Sequence, residues 1–302
     1  MATGVKTDTG RIRERNEDRY LVREEQGITL LAVADGVGGS SGGAIAADAA
    51  LAELGTRFFG APADRATSDA LAEAMRDANA AVLRAAGASG HRDAATTIVA
   101  AVIRADEAIV ANLGDSRAYL IRDGICRQLT EDHSGAMEHA ITRFAGDPRG
   151  IQPDIYVESL RPDDRLLLCS DGLTRHVTPE EIASTTTGED VRVAANALVD
   201  LANARGGEDN VTVVVHGPGR RATVARTARR AAAFTIFALL ILVTVGGAVA
   251  VLFAASSVAP TASPVPGASA SPTESPSASP FPSPSPSPTA TPTAEPSPSA
   301  SP

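Results

Sequence analysis

Aspartates recur beside glycine or at the ends of apolar, β-prone runs: Asn16-Glu17-Asp18, Asp35-Gly36-Val37-Gly38-Gly39, Asn112-Leu113-Gly114-Asp115, Ser170-Asp171-Gly172 and Asp209-Asn210. One aspartate at a strand end is a common turn residue. The same device at several separate strand ends calls for another reason. Hard divalent cations require several carboxylate oxygens converging on one point. The spacing therefore points to a metal site assembled from distant segments, and to metal-dependent chemistry. The glycines after Asp35 permit close backbone approach, so a main-chain carbonyl could join the carboxylates.

Composition narrows the alternatives. The chain has 302 residues and a formal net charge of −9. That charge argues against nucleic acid as a main partner, because phosphate backbones select basic surfaces. Cys126 and Cys169 show no paired-cysteine spacing, so neither a zinc nor a dithiol motif is present. Cys169 ends the apolar run Leu166-Leu167-Leu168, as expected of a buried, structural thiol.

Elements must position these acids. Strand-like runs cover Ile28–Ala34, Thr96–Ile103, Ala108–Leu113, Ala118–Ile121, Arg165–Cys169 and Val211–Val215. Helical periodicity predicts helices over Ala44–Phe59, Ser68–Ala86 and Asp190–Ala204, the last stopped by Gly206-Gly207. Thr178-Pro179-Glu180-Glu181 reads as the start of a short helix with a capping box. No strict βαβα alternation exists, so the class is α+β, with antiparallel sheets and helices packed outside.

The rest of the chain is different in kind. Residues 1–217 read as the folded domain and 218–230 as a basic linker carrying Arg220, Arg221, Arg226, Arg229 and Arg230. Residues 231–255 hold no charged side chain. As a helix they would be about 37 Å long, enough to cross a hydrocarbon core of ~30 Å. No Lys or Arg follows them, so the positive-inside rule predicts a cytoplasmic domain and an external tail. Residues 256–302, rich in Ser, Pro and Thr, are expected to be disordered or extended.

The motifs together resemble the bacterial form of the metal-dependent Ser/Thr protein phosphatases of type 2C, the PPM family. The resemblance is carried in order by Thr7-Asp8-Thr9-Gly10, Arg13, Asn16-Glu17-Asp18, Ala34-Asp35-Gly36-Val37-Gly38-Gly39, Thr96-Thr97, Gly114-Asp115-Ser116-Arg117, Thr130-Glu131-Asp132-His133-Ser134, Leu168-Cys169-Ser170-Asp171-Gly172 and Asp209-Asn210. It implies an α-β-β-α sandwich with two Mn²⁺ or Mg²⁺ ions at one edge. Asp35 would bridge the ions with the Gly36 carbonyl on one of them. Asp171 and Asp209 would hold the other, Asp18 would act directly or through water, and Asp115 would bind a weaker third ion. Arg13 would bind the phosphate. Implied partners are phosphorylated cytoplasmic proteins and the Ser/Thr kinases that the enzyme opposes. Val37 stands where some members carry a proton-donating histidine, and His133 offers a candidate donor or a structural residue. The segment between His133 and Asp154 is shorter than in bacterial members. The alternative is a fold retained as a phosphoprotein-binding module with its chemistry weakened.

Overall fold

Leu30, Leu31, Ala32 and Val33 are all fully buried, yet alternate side chains enter different cores. A strand with both faces covered must be sandwiched between layers, and the fold follows from that requirement. The structure is a computed structural model that describes residues 1–37, 42–62, 67–135 and 141–218.

In chain order the elements are β1 (Ala2–Asp8), β2 (Arg19–Glu25), β3 (Ile28–Ala34), β4 (Gly36–Val37), α1 (Gly42–Phe59), α2 (Thr67–Ser89), β5 (Ala95–Thr96), β6 (Ile98–Arg104), β7 (Glu107–Leu113), β8 (Arg117–Arg122) and β9 (Ile125–Gln128). They continue with β10 (Asp154–Ser159), β11 (Arg165–Cys169), α3 (Asp171–Thr174), α4 (Pro179–Thr186), α5 (Val191–Ala204) and β12 (Val211–Gly217). One five-stranded sheet has the order β1-β12-β11-β8-β9 and the other β10-β7-β6-β3-β2. Every pairing between these strands is antiparallel.

Three apolar layers hold the sandwich together. Leu30, Ala32, Ile98, Ala100, Ile109 and Ala111 face α1 and α2, meeting Leu54, Leu71 and Met75. Leu31, Val33, Val99 and Val110 face the second sheet, meeting Leu120, Leu166, Leu168 and Val214. Leu167, Cys169, Val213 and Val215 point outward to α3, α4 and α5, against Ile182, Leu198 and Val199. Period-2 alternation on both sheets thus yields an α-β-β-α order.

The six expected strands and three long helices all form, with ends shifted by a few residues. The run from Thr96 divides: β5 ends at Thr96 and β6 starts at Ile98, with Thr97 turned towards the sheet edge that carries Asp35. The capping box also forms, with Thr178 Oγ1 accepting from Glu181 N and Glu181 Oε2 accepting from Thr178 N at 3.1 Å. Arg205 clasps Glu181 at 2.6 Å and ties the end of α5 to the start of α4. Cys126 and Cys169 are both free thiols, and burial pushes the Cys169 thiol up, as befits a core residue.

Among the described residues no helix is long and apolar enough to cross a membrane. The expected linker beyond Pro218, the apolar segment 231–255 and the tail 256–302 lie outside the described residues.

Candidate metal centre

The acidic motifs meet at one edge of the sandwich because both sheets deliver their strand ends there. Asp35 follows β3 of one sheet, while Asp171 follows β11 and Asp209 precedes β12 of the other. Asp115 lies in the β7–β8 connection that crosses between the sheets. Asp18 sits just before β2.

Two close backbone contacts fix this convergence. A Cβ on Gly172 would lie 2.1 Å from the Asn210 carbonyl oxygen, so only glycine lets the start of α3 touch the turn before β12. A Cβ on Gly36 would lie 2.4 Å from the Gly43 carbonyl carbon, which seats the first turn of α1 against the Asp35 loop.

Hydrogen bonds then orient the acids. Ser170 Oγ donates to Asp18 Oδ2 at 2.7 Å and accepts from Thr212 N at 3.0 Å. Asn16 Oδ1 accepts from Asp18 N at 3.0 Å. Asn210 Oδ1 accepts from Glu17 N at 2.8 Å, and its amide donates to the Thr9 and Arg15 carbonyls at 2.9 Å. Asn210 therefore staples the segment carrying Arg13 and Asp18 to the segment carrying Asp209. Asp35 N donates to Thr97 Oγ1 at 3.0 Å, and Thr97 N and Thr96 Oγ1 both donate to the Asp35 carbonyl at 2.9 Å.

The electrostatics report how crowded the acids are. Burial pushes the Asp18 carboxyl up to about 7, and repulsion from Asp171 and Asp209 adds to it. Burial raises Asp35 well above the ordinary carboxylate range, with Asp18, Asp171, Asp115 and Asp209 all contributing repulsion. Asp115 is pushed up to about 6, first by burial and then by Asp171. All five sequence-predicted acids are thus brought into one electrostatic cluster, with Gly36 beside Asp35 in β4.

Two arginines offset the negative charge. Arg13 donates to Asp209 Oδ2 at 2.8 Å. Arg175, which sequence reading did not single out, donates from Nε to Asp171 Oδ2 at 3.0 Å and lies 3.7 Å from Asp209 Oδ2. Its position four residues after Asp171 on a helical turn was the available signal.

The donor set suits a hard cation. Asp18 Oδ1, Asp115 Oδ1 and Asp171 Oδ1 are buried and have no hydrogen-bond partner. Leaving such oxygens unsatisfied is costly, and a divalent ion would satisfy them. Among the described residues no three His, Cys, Asp or Glu side chains are arranged so that they could hold a metal ion together. Asp171 and Asp209 instead turn an oxygen each towards arginine.

Both ring nitrogens of His133 have partners. Its Nδ1 accepts from Gly114 N at 3.0 Å and its Nε2 lies 2.8 Å from Asp154 Oδ2, so the ring braces the loop behind Asp115. The segment that resumes at Ile141 lies against it, with Thr142 N donating to the His133 carbonyl at 2.7 Å. Thr96 and Ala145 then exchange a pair of backbone hydrogen bonds of 3.0 and 2.8 Å. A cavity of about 420 Å³ opens between this segment and the Asp35 loop, lined by Val37, Asp93, Ile141 and Phe144 among others.

Comparison with known proteins shows what the chain is similar to. The family description "Protein phosphatase 2C" matches residues 11–204. The serine/threonine phosphatase stp of Listeria monocytogenes is 33% identical over 239 residues, spanning 71% of this chain and 95% of that protein. The serine/threonine protein phosphatase PstP of Mycobacterium tuberculosis is 33% identical over 236 residues, covering 70% of this chain and 44% of PstP. Among solved structures, the Streptococcus agalactiae serine/threonine phosphatase superposes with a TM-score of 0.66 at 29% identity, over 72% of this chain and 99% of that one. The PstP catalytic domain in complex with two manganese ions superposes with a TM-score of 0.63 at 32% identity, over 71% of this chain and 96% of that one.

Proposed function

This chain belongs to the protein phosphatase 2C family and is a serine/threonine protein phosphatase; from that premise we propose how its residues do the work and where in the cell they do it. The observation that carries the proposal is the convergence of Asp18, Asp35, Asp115, Asp171 and Asp209, from both sheets, on one edge with three unpartnered buried oxygens.

Asp35 and the Gly36 carbonyl, with Asp171 and Asp209, would hold two Mn²⁺ or Mg²⁺ ions, and Asp18 completes the set. Asp115 would hold a third, weaker ion. When bound, such ions supply Lewis acidity and an acidified water for in-line attack on phosphorus. Arg13 lies at the rim, more than half exposed, where its planar fork can take two phosphoryl oxygens and orient the phosphate. Ser170, Asn210 and Thr97 keep the carboxylates in place through the hydrogen bonds described above. Val37 cannot carry a proton and His133 is engaged on both nitrogens, so neither serves as the proton donor to the leaving serine or threonine oxygen.

The substrates are phosphorylated cytoplasmic proteins, and the enzyme opposes the Ser/Thr kinases that make them. Residues 231–255 anchor it as a single-pass membrane protein. The charge-free run of 25 residues and the five arginines before it support that reading. The catalytic domain then faces the cytoplasm and the Ser/Pro-rich tail lies outside.

The test is phosphate release from a phosphothreonine peptide by the full-length protein, with Mn²⁺ and with chelator, beside Asp209→Asn. Metal-dependent turnover that the substitution reduces at least about a hundredfold supports the mechanism. Turnover in chelator, or an active Asp209→Asn enzyme, would overturn it. A folded wild type without turnover under any metal would shift the weight to a phosphoprotein-binding module.

A further inference from the structure

Arg175 occupies an unusual place for a guanidinium. It caps α3, the short helix that begins with Asp171. Its Nε and a terminal nitrogen both donate to Asp171 Oδ2, and the same terminal nitrogen lies 3.7 Å from Asp209 Oδ2. The three side chains are sheltered, at 28%, 17% and 17% exposure. Two of the carboxylates assigned to the cation are thereby neutralised by one residue of the same chain.

Arg13 differs. It is 56% exposed and makes one bond to Asp209, so water can replace it at little cost. Arg175 is tethered four residues from its partner on a helical turn, makes two bonds to one oxygen and reaches a second acid. A cation that used Asp171 Oδ2 would have to displace that fork, and one held by Oδ1, which is buried and unpartnered, would lie beside its positive charge.

We infer that Arg175 is an internal competitor for the metal: it holds Asp171 and Asp209 in the metal-free chain, and its displacement sets the cation concentration at which the enzyme loads. The inference rests on the metal reading given above. It has two linked consequences. Removing the guanidinium leaves Asp171 without its counter-charge and Asp209 with Arg13 alone, so the metal-free protein loses stability. It also removes what the metal must displace, so binding tightens. A residue that merely positioned Asp171 for the metal would show the first effect and the reverse of the second.

The experiment measures Mn²⁺ binding to the full-length protein by isothermal titration, together with melting in chelator, for wild type, Arg175→Gln, Arg175→Lys and Asp209→Asn. Arg175→Gln is expected to bind Mn²⁺ roughly three- to tenfold more tightly, as removal of a sheltered ion pair allows, and to melt lower in chelator. Arg175→Lys keeps the charge and loses the fork, so it should fall between the two, and it decides the matter if the glutamine variant does not fold. Unchanged or weaker Mn²⁺ binding in the Arg175 variants, with Asp209→Asn defective, overturns the competitor role alone. Undiminished Mn²⁺ binding by Asp209→Asn overturns the metal reading and the inference with it.

Discussion

At the scale of the residue, the site is a concentration of like charge that the fold tolerates at a cost. Asp35 has four carboxylate neighbours and a raised pKa caused first by burial. A folded-state value above the unfolded one means that stability is present at low pH and is lost as the carboxyl ionises on the way to neutrality. Asp35→Asn removes that charge while keeping the shape. In chelator at pH 7.5 the variant should melt higher than wild type, by roughly 2–5 °C, and Mn²⁺ should raise its melting point less than it raises wild type's. Differential scanning calorimetry in both conditions checks this; a variant that melts lower in chelator contradicts the crowding. The acids were legible in the sequence because aspartate beside glycine at a strand end is a local pattern. Arg175, Ser170 and Asn210 were not assigned roles. Their partners, Asp171 excepted, lie far away in sequence, and Ser170 reaches Asp18 across 152 positions.

At the scale of the element, strands covered on both faces were visible as apolar runs, and edge strands were not. β2 alternates half-buried and exposed residues, and β9 and β10 show no fully buried residue, so their composition reads as loop. α3 has four residues, too few for helical periodicity to register. Its start nevertheless depends on one contact, Gly172 against the Asn210 carbonyl. Gly172→Ala forces these segments apart and should cost about 2–3 kcal/mol in urea unfolding. It should also weaken Mn²⁺ binding by separating Asp171 from Asp209. Unchanged stability would show that the contact yields freely. β12 carries a second consequence. His216 is buried there beside Thr3, and burial lowers its pKa from 6.5 to about 4. The unfolded chain takes up a proton near 6.5 that the folded chain refuses until about 4, so stability is intact above 6.5 and falls as pH drops towards 4. Urea unfolding in chelator at pH 7.5 and 4.5 should show His216→Gln losing less than wild type, by roughly 1–3 kcal/mol. Equal losses would place the acid sensitivity elsewhere.

At the scale of the whole molecule, the sequence divides by composition into a folded domain and an apolar segment with a proline-rich tail. Antiparallel sheets with helices outside were readable from the order of strand and helix runs, and the α-β-β-α order was implied by the resemblance of the motifs. Strand neighbours such as β11 between β12 and β8 were not, because pairing depends on contacts no local run records. Anchoring carries its own expected outcome. The full-length protein should sediment with membranes and resist alkaline carbonate extraction, whereas deletion of 231–255 should release an active soluble phosphatase. A full-length protein recovered in the soluble fraction would contradict the anchor and leave the chemistry untouched.

The chemistry stands on one claim, that the five acids hold divalent ions. Equilibrium dialysis of the full-length protein against Mn²⁺, with wild type and Asp35→Asn compared, tests it most directly. The account predicts at least two ions bound per wild-type chain and the loss of at least one in the variant. No bound Mn²⁺, or the same number in both proteins, would contradict it.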